Sequence, residues 1–148
     1  MENSQKTMLR YITDTHETLK RIKELEERIA SKTFRITPAY ECVGGGGSGS
    51  PQVSKIEQYV EEKIMLEEEL AKCRTRLTLI EYIRESGILT TLEYELIEWL
   101  QIGGHLSEFA KAHKIYKSYV YKIRDNALVK MLDFVQDTPK CNELWVKC

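Results

Sequence analysis

Nothing in this 148-residue sequence approaches the ~20 consecutive apolar residues of a membrane-crossing helix. Its start also lacks the succession of basic, apolar and small residues that marks a secretory signal, so the expected setting is soluble, intracellular and cytoplasmic. Cysteine is scarce and scattered. Cys42, Cys73, Cys141 and Cys148 have neither the paired C-x-x-C spacing of a zinc site nor the density of a secreted disulfide scaffold, so free thiols and no bound metal are expected. Catalytic signatures are missing as well: there is no G-x-x-x-x-G-K-[ST], no H-E-x-x-H and no G-x-S-x-G. The glycine tract at residues 44–47 lacks a following Lys-Ser/Thr and follows no apolar strand, which rules out a nucleotide loop. His16, His105 and His113 fall on separate helical faces or at a motif edge, where histidines serve as surface or capping residues. The chain therefore reads as a non-enzyme without a cofactor. Its length allows one domain plus an accessory element but not two large cores.

What the sequence does contain is concentrated in residues 105–131, HLSEFAKAHKIYKSYVYKIRDNALVKM. Two short helices joined by a turn of about 3–4 residues need apolar groups at a shared core and a small residue where they touch. Leu106, Phe109 and Ala110 supply the first inward face, Ile115 plugs the turn, and Val120, Ile123, Ala127, Leu128 and Met131 supply the second at helical spacing. The residues left outward on the second helix are Lys117, Ser118, Tyr119, Tyr121, Lys122 and Arg124. Charge is concentrated here too: Lys111, Lys114, Lys117, Lys122, Arg124 and Lys130 stand against only Glu108 and Asp125, in a chain of net charge −1. A basic face on one small element is what phosphate neutralisation requires. A solvated lysine face would look the same by charge alone.

This stretch resembles the helix-turn-helix of sigma factor region 4 and of LuxR-like proteins, through the run Val120, Ile123, Ala127, Leu128. The resemblance implies double-stranded DNA as partner. Two positions depart from that pattern. Lys114 stands where glycine is usual and must take a left-handed conformation, at roughly 1 kcal/mol. Tyr116 stands where a serine usually caps the recognition helix, so Ser118 or water has to serve.

Upstream, residues 5–31 read as one helix with a stripe of Met8, Ile12, Thr15, Leu19, Ile22 and Ile29, widened by Tyr11 and Leu25. Residues 52–84 read as a second helix, with Ile56, Tyr59, Lys63, Leu66, Leu70, Cys73, Leu77 and Ile80 at heptad positions and Val60, Ile64 and Ile83 alongside. At 1.5 Å per residue that helix would be ~50 Å long, too long to cover its stripe alone. The first helix covers part of it as an antiparallel hairpin. A second subunit is expected to cover the rest, with Leu66, Leu70, Leu77 and Ile80 at the centre of the oligomer; packing within one chain is the alternative. Between the helices, Phe34, Ile36, Tyr40 and Val43 suggest an extended segment, from which Pro38 excludes helix. A Gly/Ser linker follows at 44–51. Ser86-Gly87 ends the long helix, Thr90-Thr91-Leu92-Glu93 is a capping box for a third helix carrying Leu96, Ile97, Trp99 and Leu100, and Gly103-Gly104 ends that one. Trp99 is expected in the core.

The layout of N-terminal helix, glycine-rich linker GGGGSGSPQVSKIEQYV, long coiled-coil helix and C-terminal helix-turn-helix is similar to that of phage late-gene transcriptional regulators of the RinA/ArpU type. That resemblance implies an all-α fold, a coiled-coil region over residues 1–86, a DNA-binding domain over 88–133 and a tail over 134–148. It also implies a homo-oligomeric activator in a bacterial host cell, with host RNA polymerase as a further partner. A DNA-packaging protein of the small-terminase kind, or a helical scaffold that binds protein instead of DNA, are the alternatives. The motif's position at the end of the chain argues against the former.

Overall fold

The computed structural model describes residues 1–32 and 50–148, with side chains from Lys55 onward in the second stretch. The segment expected to be extended around Phe34, Ile36, Pro38, Tyr40 and Val43, Cys42, and linker residues 44–49 lie outside the described residues. Everything regular within them is α-helix: α1 (Asn3–Thr13), α2 (Thr15–Ser31), α3 (Ser50–Glu85), α4 (Thr91–Gln101), α5 (Leu106–His113), α6 (Lys117–Asp137) and α7 (Pro139–Lys147). No helix among them is long and apolar enough to cross a membrane. The last two residues of the expected linker are already helical, with Pro51 in a first turn where its missing N–H is harmless.

The single N-terminal helix of the sequence reading is in fact two. Asp14, at φ −88° and ψ 8°, ends α1, and the Thr15 hydroxyl turns back to donate to the carbonyls of Ile12 (2.8 Å) and Tyr11 (3.2 Å). The buried row runs Met8, Tyr11, Thr15, Thr18, Leu25, at helical spacing across the break. Thr18 and Leu25 become buried, whereas Leu19 is 53 % exposed.

The two pieces then go to different places. α2 lies along α3 as a stalk, with Leu25 buried against Leu66, Leu70 and Cys73, and Ile22 and Ile29 beside them. Ion pairs stitch its edges: Arg21 grips Glu69 through two bonds of 2.8 and 3.0 Å, Arg74 meets Glu26 at 2.5 Å, and Lys32 meets Glu62. These pairs are exposed enough to add register more than stability. α1 instead joins the head, where Met8, Tyr11 and Ile12 share one core with Leu79, Ile80 and Ile83 of α3 and with α4, α5, α6 and α7.

One expectation is corrected by that packing. Leu66, Leu70 and Ile80, assigned to the centre of an oligomer, are buried within the chain itself, and Leu77 is half-buried. Among the described side chains of α3, the large apolar residues left exposed are Ile56, Val60, Ile64, Met65 and Tyr82. Gly87 ends α3 at φ +81°. The last turns of α3 are part of the head's core, so head and stalk are one packed body.

Residues 134–148 are not a loose tail. The apolar stripe of α6 continues through Val135, so the helix runs to Asp137. Pro139 then opens α7, whose Cys141 is fully buried and whose Trp145 meets the Tyr11 ring edge-on at 5.8 Å.

Candidate nucleic-acid interface

Three residues, Lys114, Ile115 and Tyr116, separate α5 from α6. The turn closes with paired backbone bonds, Ile115 N–H to the Ala110 carbonyl (3.0 Å) and Lys114 N–H to the Lys111 carbonyl (3.3 Å). This pairing needs a left-handed residue, and Lys114 takes it at φ 55° and ψ 44°, as expected for a side chain standing in a glycine's place. Phe109 and Ala110 from α5 and Val120, Ile123, Ala127, Leu128 and Met131 from α6 are all buried. Leu106 and Ile115 pack at the edge of the same cluster.

α4 braces the pair from behind. Thr90 and Glu93 form the expected reciprocal cap, with Glu93 N–H to the Thr90 hydroxyl at 3.2 Å and Thr90 N–H to Glu93 Oε1 at 3.1 Å. Trp99 is a packing residue: its Nε1 donates to the His105 carbonyl (3.0 Å) and its ring meets Phe109 edge-on at 5.9 Å. A Cβ on Gly104 would lie 2.2 Å from Trp99 Nε1. Gly104→Ala should therefore push the indole out of place and cost about 1–3 kcal/mol, read as a lower melting temperature with a shift in tryptophan fluorescence. An unchanged melt would show that the ring moves aside freely.

The nine residues expected to touch DNA divide into two groups. Lys111, Lys114, Lys117, Ser118, Tyr119, Tyr121 and Lys122 are exposed. Among the described residues, no ion pair holds Lys111, Lys114, Lys117 or Lys122. The other two are engaged within the chain. Arg124 is folded onto its own helix: Nε and a terminal nitrogen both donate to Asp125 Oδ1 (3.0 and 2.9 Å), the guanidinium lies 4.9 Å over the Tyr121 ring, and the side chain is only 16 % exposed. Lys130 donates to Glu93 Oε1 at 2.5 Å, tying α6 to the cap of α4.

Glu93 was legible as a cap but not as half of an ion pair, because its partner lies 37 residues away. Glu93 is 4 % exposed. Burial pushes its pKa up, but the Lys130 ammonium and the Thr90 N–H and hydroxyl outweigh that and hold it below the ordinary glutamate range. A depressed folded value contributes stability above the unfolded pKa of about 4.3, and this is lost as the pH falls through the folded value. Glu93→Gln should then flatten the acid side of the stability profile. An acid limb of unchanged steepness would contradict this.

Sequence reasoning also passed over Tyr116 except as a missing serine. It is 86 % exposed and makes no capping bond at the start of α6. His113 is held by Glu95 (3.0 Å) and stacked on Phe109, and His16 is exposed. Compared with protein-family models, with curated proteins and with solved structures, the chain gives no significant match in any of the three.

Proposed function

We propose that this protein is a sequence-specific DNA-binding transcriptional regulator that sets the start of α6 into the major groove, with α5, the left-handed turn and α6 forming a helix-turn-helix. The observation that carries the reading is the cluster of exposed, unpaired lysines around α5, the turn and the first turns of α6, in a chain of net charge −1. Such a face supplies counterion release on a phosphate backbone, and a helix start presents side chains to base edges. The likeness of layout to RinA/ArpU-type regulators extends the proposal to an activator of phage or prophage late genes, with host RNA polymerase as its second partner.

One helix-turn-helix reads only a few base pairs, so the regulator is proposed to act as a homo-oligomer. With Leu66, Leu70 and Ile80 occupied inside the chain, a surface on α3 that suits a second copy is the row Ile56, Val60 and Ile64 at four-residue spacing. Lys63 and Glu67 lie beside it, and in an antiparallel pair these two can meet their counterparts reciprocally. Changing all three apolar residues to Lys should give a monomer in sedimentation with helicity unchanged. A wild-type protein that is already monomeric at micromolar concentration would overturn the oligomer.

The test of the DNA reading is a binding titration over salt concentration. Lys122→Ala should cost about 1–3 kcal/mol on a preferred site if it reads a base. Lys111→Ala should weaken binding to every duplex and reduce the salt slope by about 0.9. Binding that ignores salt and these substitutions would favour a protein-binding scaffold.

A further inference from the structure

The first two turns of α6 offer an unusual set of groups to a partner. The exposed side chains are Lys117, Ser118, Tyr119, Tyr121 and Lys122, with no arginine, asparagine, glutamine or carboxylate among them. The helix's arginine, Arg124, has the bidentate fork that guanine recognition uses, but it is committed to Asp125 and to the Tyr121 ring. At about 100° per residue, Ser118 and Lys122 lie opposite the buried Val120/Ala127 seam, and Tyr119 and Tyr121 stand on either flank of them.

The two rings are poised differently. Tyr119 is 51 % exposed. Tyr121 is braced by cations, Arg124 at 4.9 Å and Lys117 at 6.0 Å from its ring centre, so it has little rotamer freedom to lose on binding. Beyond these contacts of Tyr121, the aromatic carbon left exposed at the helix start is available to a partner. It fits a surface that offers apolar groups between hydrogen-bonding ones. In the major groove only thymine does so, through its C5-methyl group.

We propose that Tyr119 and Tyr121 are specificity-determining residues that read thymine methyl groups on separate base pairs flanking the contacts of Ser118 and Lys122. The proposal rests on the DNA-binding reading above and adds the class of sequence recognised: half-sites with thymine at fixed positions, selected by ring contact and not by an arginine–guanine bond. The phenol hydroxyls are free to bond to water or phosphate, so the selectivity belongs to the rings.

The test starts from a duplex selected by the full-length protein from a random pool, in which each thymine is then replaced singly by uracil. That change removes the methyl and keeps the O4 acceptor. Affinity is expected to fall about fourfold at each contacted position. Tyr119→Ala and Tyr121→Ala should each abolish the thymine–uracil difference at one position, and Tyr119→Phe and Tyr121→Phe should keep it. The uracil arm needs only the wild-type protein, so it stands even where an alanine variant is damaged. Equal affinity for thymine and uracil at every position would overturn the proposal while leaving DNA binding intact. An absence of any DNA binding would overturn both.

Discussion

Ile80→Glu is expected to unfold the protein, not to dissociate it. Ile80 is fully buried, in one core with Leu79, Ile83 and residues of the other head helices, at the point where the stalk enters the head. A carboxylate there loses the transfer free energy of the isoleucine, leaves an unpaired charge without solvent and leaves its neighbours poorly packed. Each contribution is a few kcal/mol, and together they reach the ~5–15 kcal/mol by which a typical domain is stable. Loss of the cooperative thermal transition, followed by circular dichroism, is the expected result. A well-folded but monomeric variant would instead restore Ile80 to an interface between subunits.

The second large effect is electrostatic. Replacing Lys111, Lys114, Lys117 and Lys122 together by Ala should leave the fold nearly untouched, since all four are exposed and outside ion pairs among the described residues. Lys114→Ala keeps a left-handed residue with a Cβ, so the turn bears much the same strain as before. DNA affinity should fall by orders of magnitude in low salt, with the slope of log affinity against log salt flattened by up to about 3.6. Fluorescence anisotropy on a labelled duplex reads both quantities. A variant that is equally stable and binds DNA as the wild type does would remove these lysines from the account.

Features set by near neighbours could be read before the structure. The Thr90/Glu93 cap, the glycine stops at Gly87 and Gly103, the left-handed Lys114 and the inward positions of α5 and α6 each follow from a few adjacent residues. What escaped depends on distant ones. No proline or glycine marks the break at Asp14, and α1's place in the head is decided by cores formed 70 or more residues later. The long helix shows the limit of periodicity. A strict heptad continued from Cys73 predicts Leu77 and Ile80; Ile80 is buried, but Leu77 is only half-buried and Leu79, off the heptad, is fully buried, because the partner changes from α2 to the head along the helix. Periodicity identified an apolar face but not whether the same chain or a second one would cover it. The commitment of Lys130 was hidden likewise, since its partner Glu93 lies 37 residues away, whereas Arg124's partner, Asp125, is its immediate neighbour.

The claim on which the rest depends is that α6 presents a face for DNA. Its most direct test is repeated selection of the full-length protein on a pool of random duplexes, with affinity for the enriched pool measured across salt concentrations. The predicted result is convergence on a recurring half-site, bound with an affinity that falls linearly on a log–log plot as salt rises. A pool that stays random after selection, with no salt-dependent binding at any stage, would contradict the account.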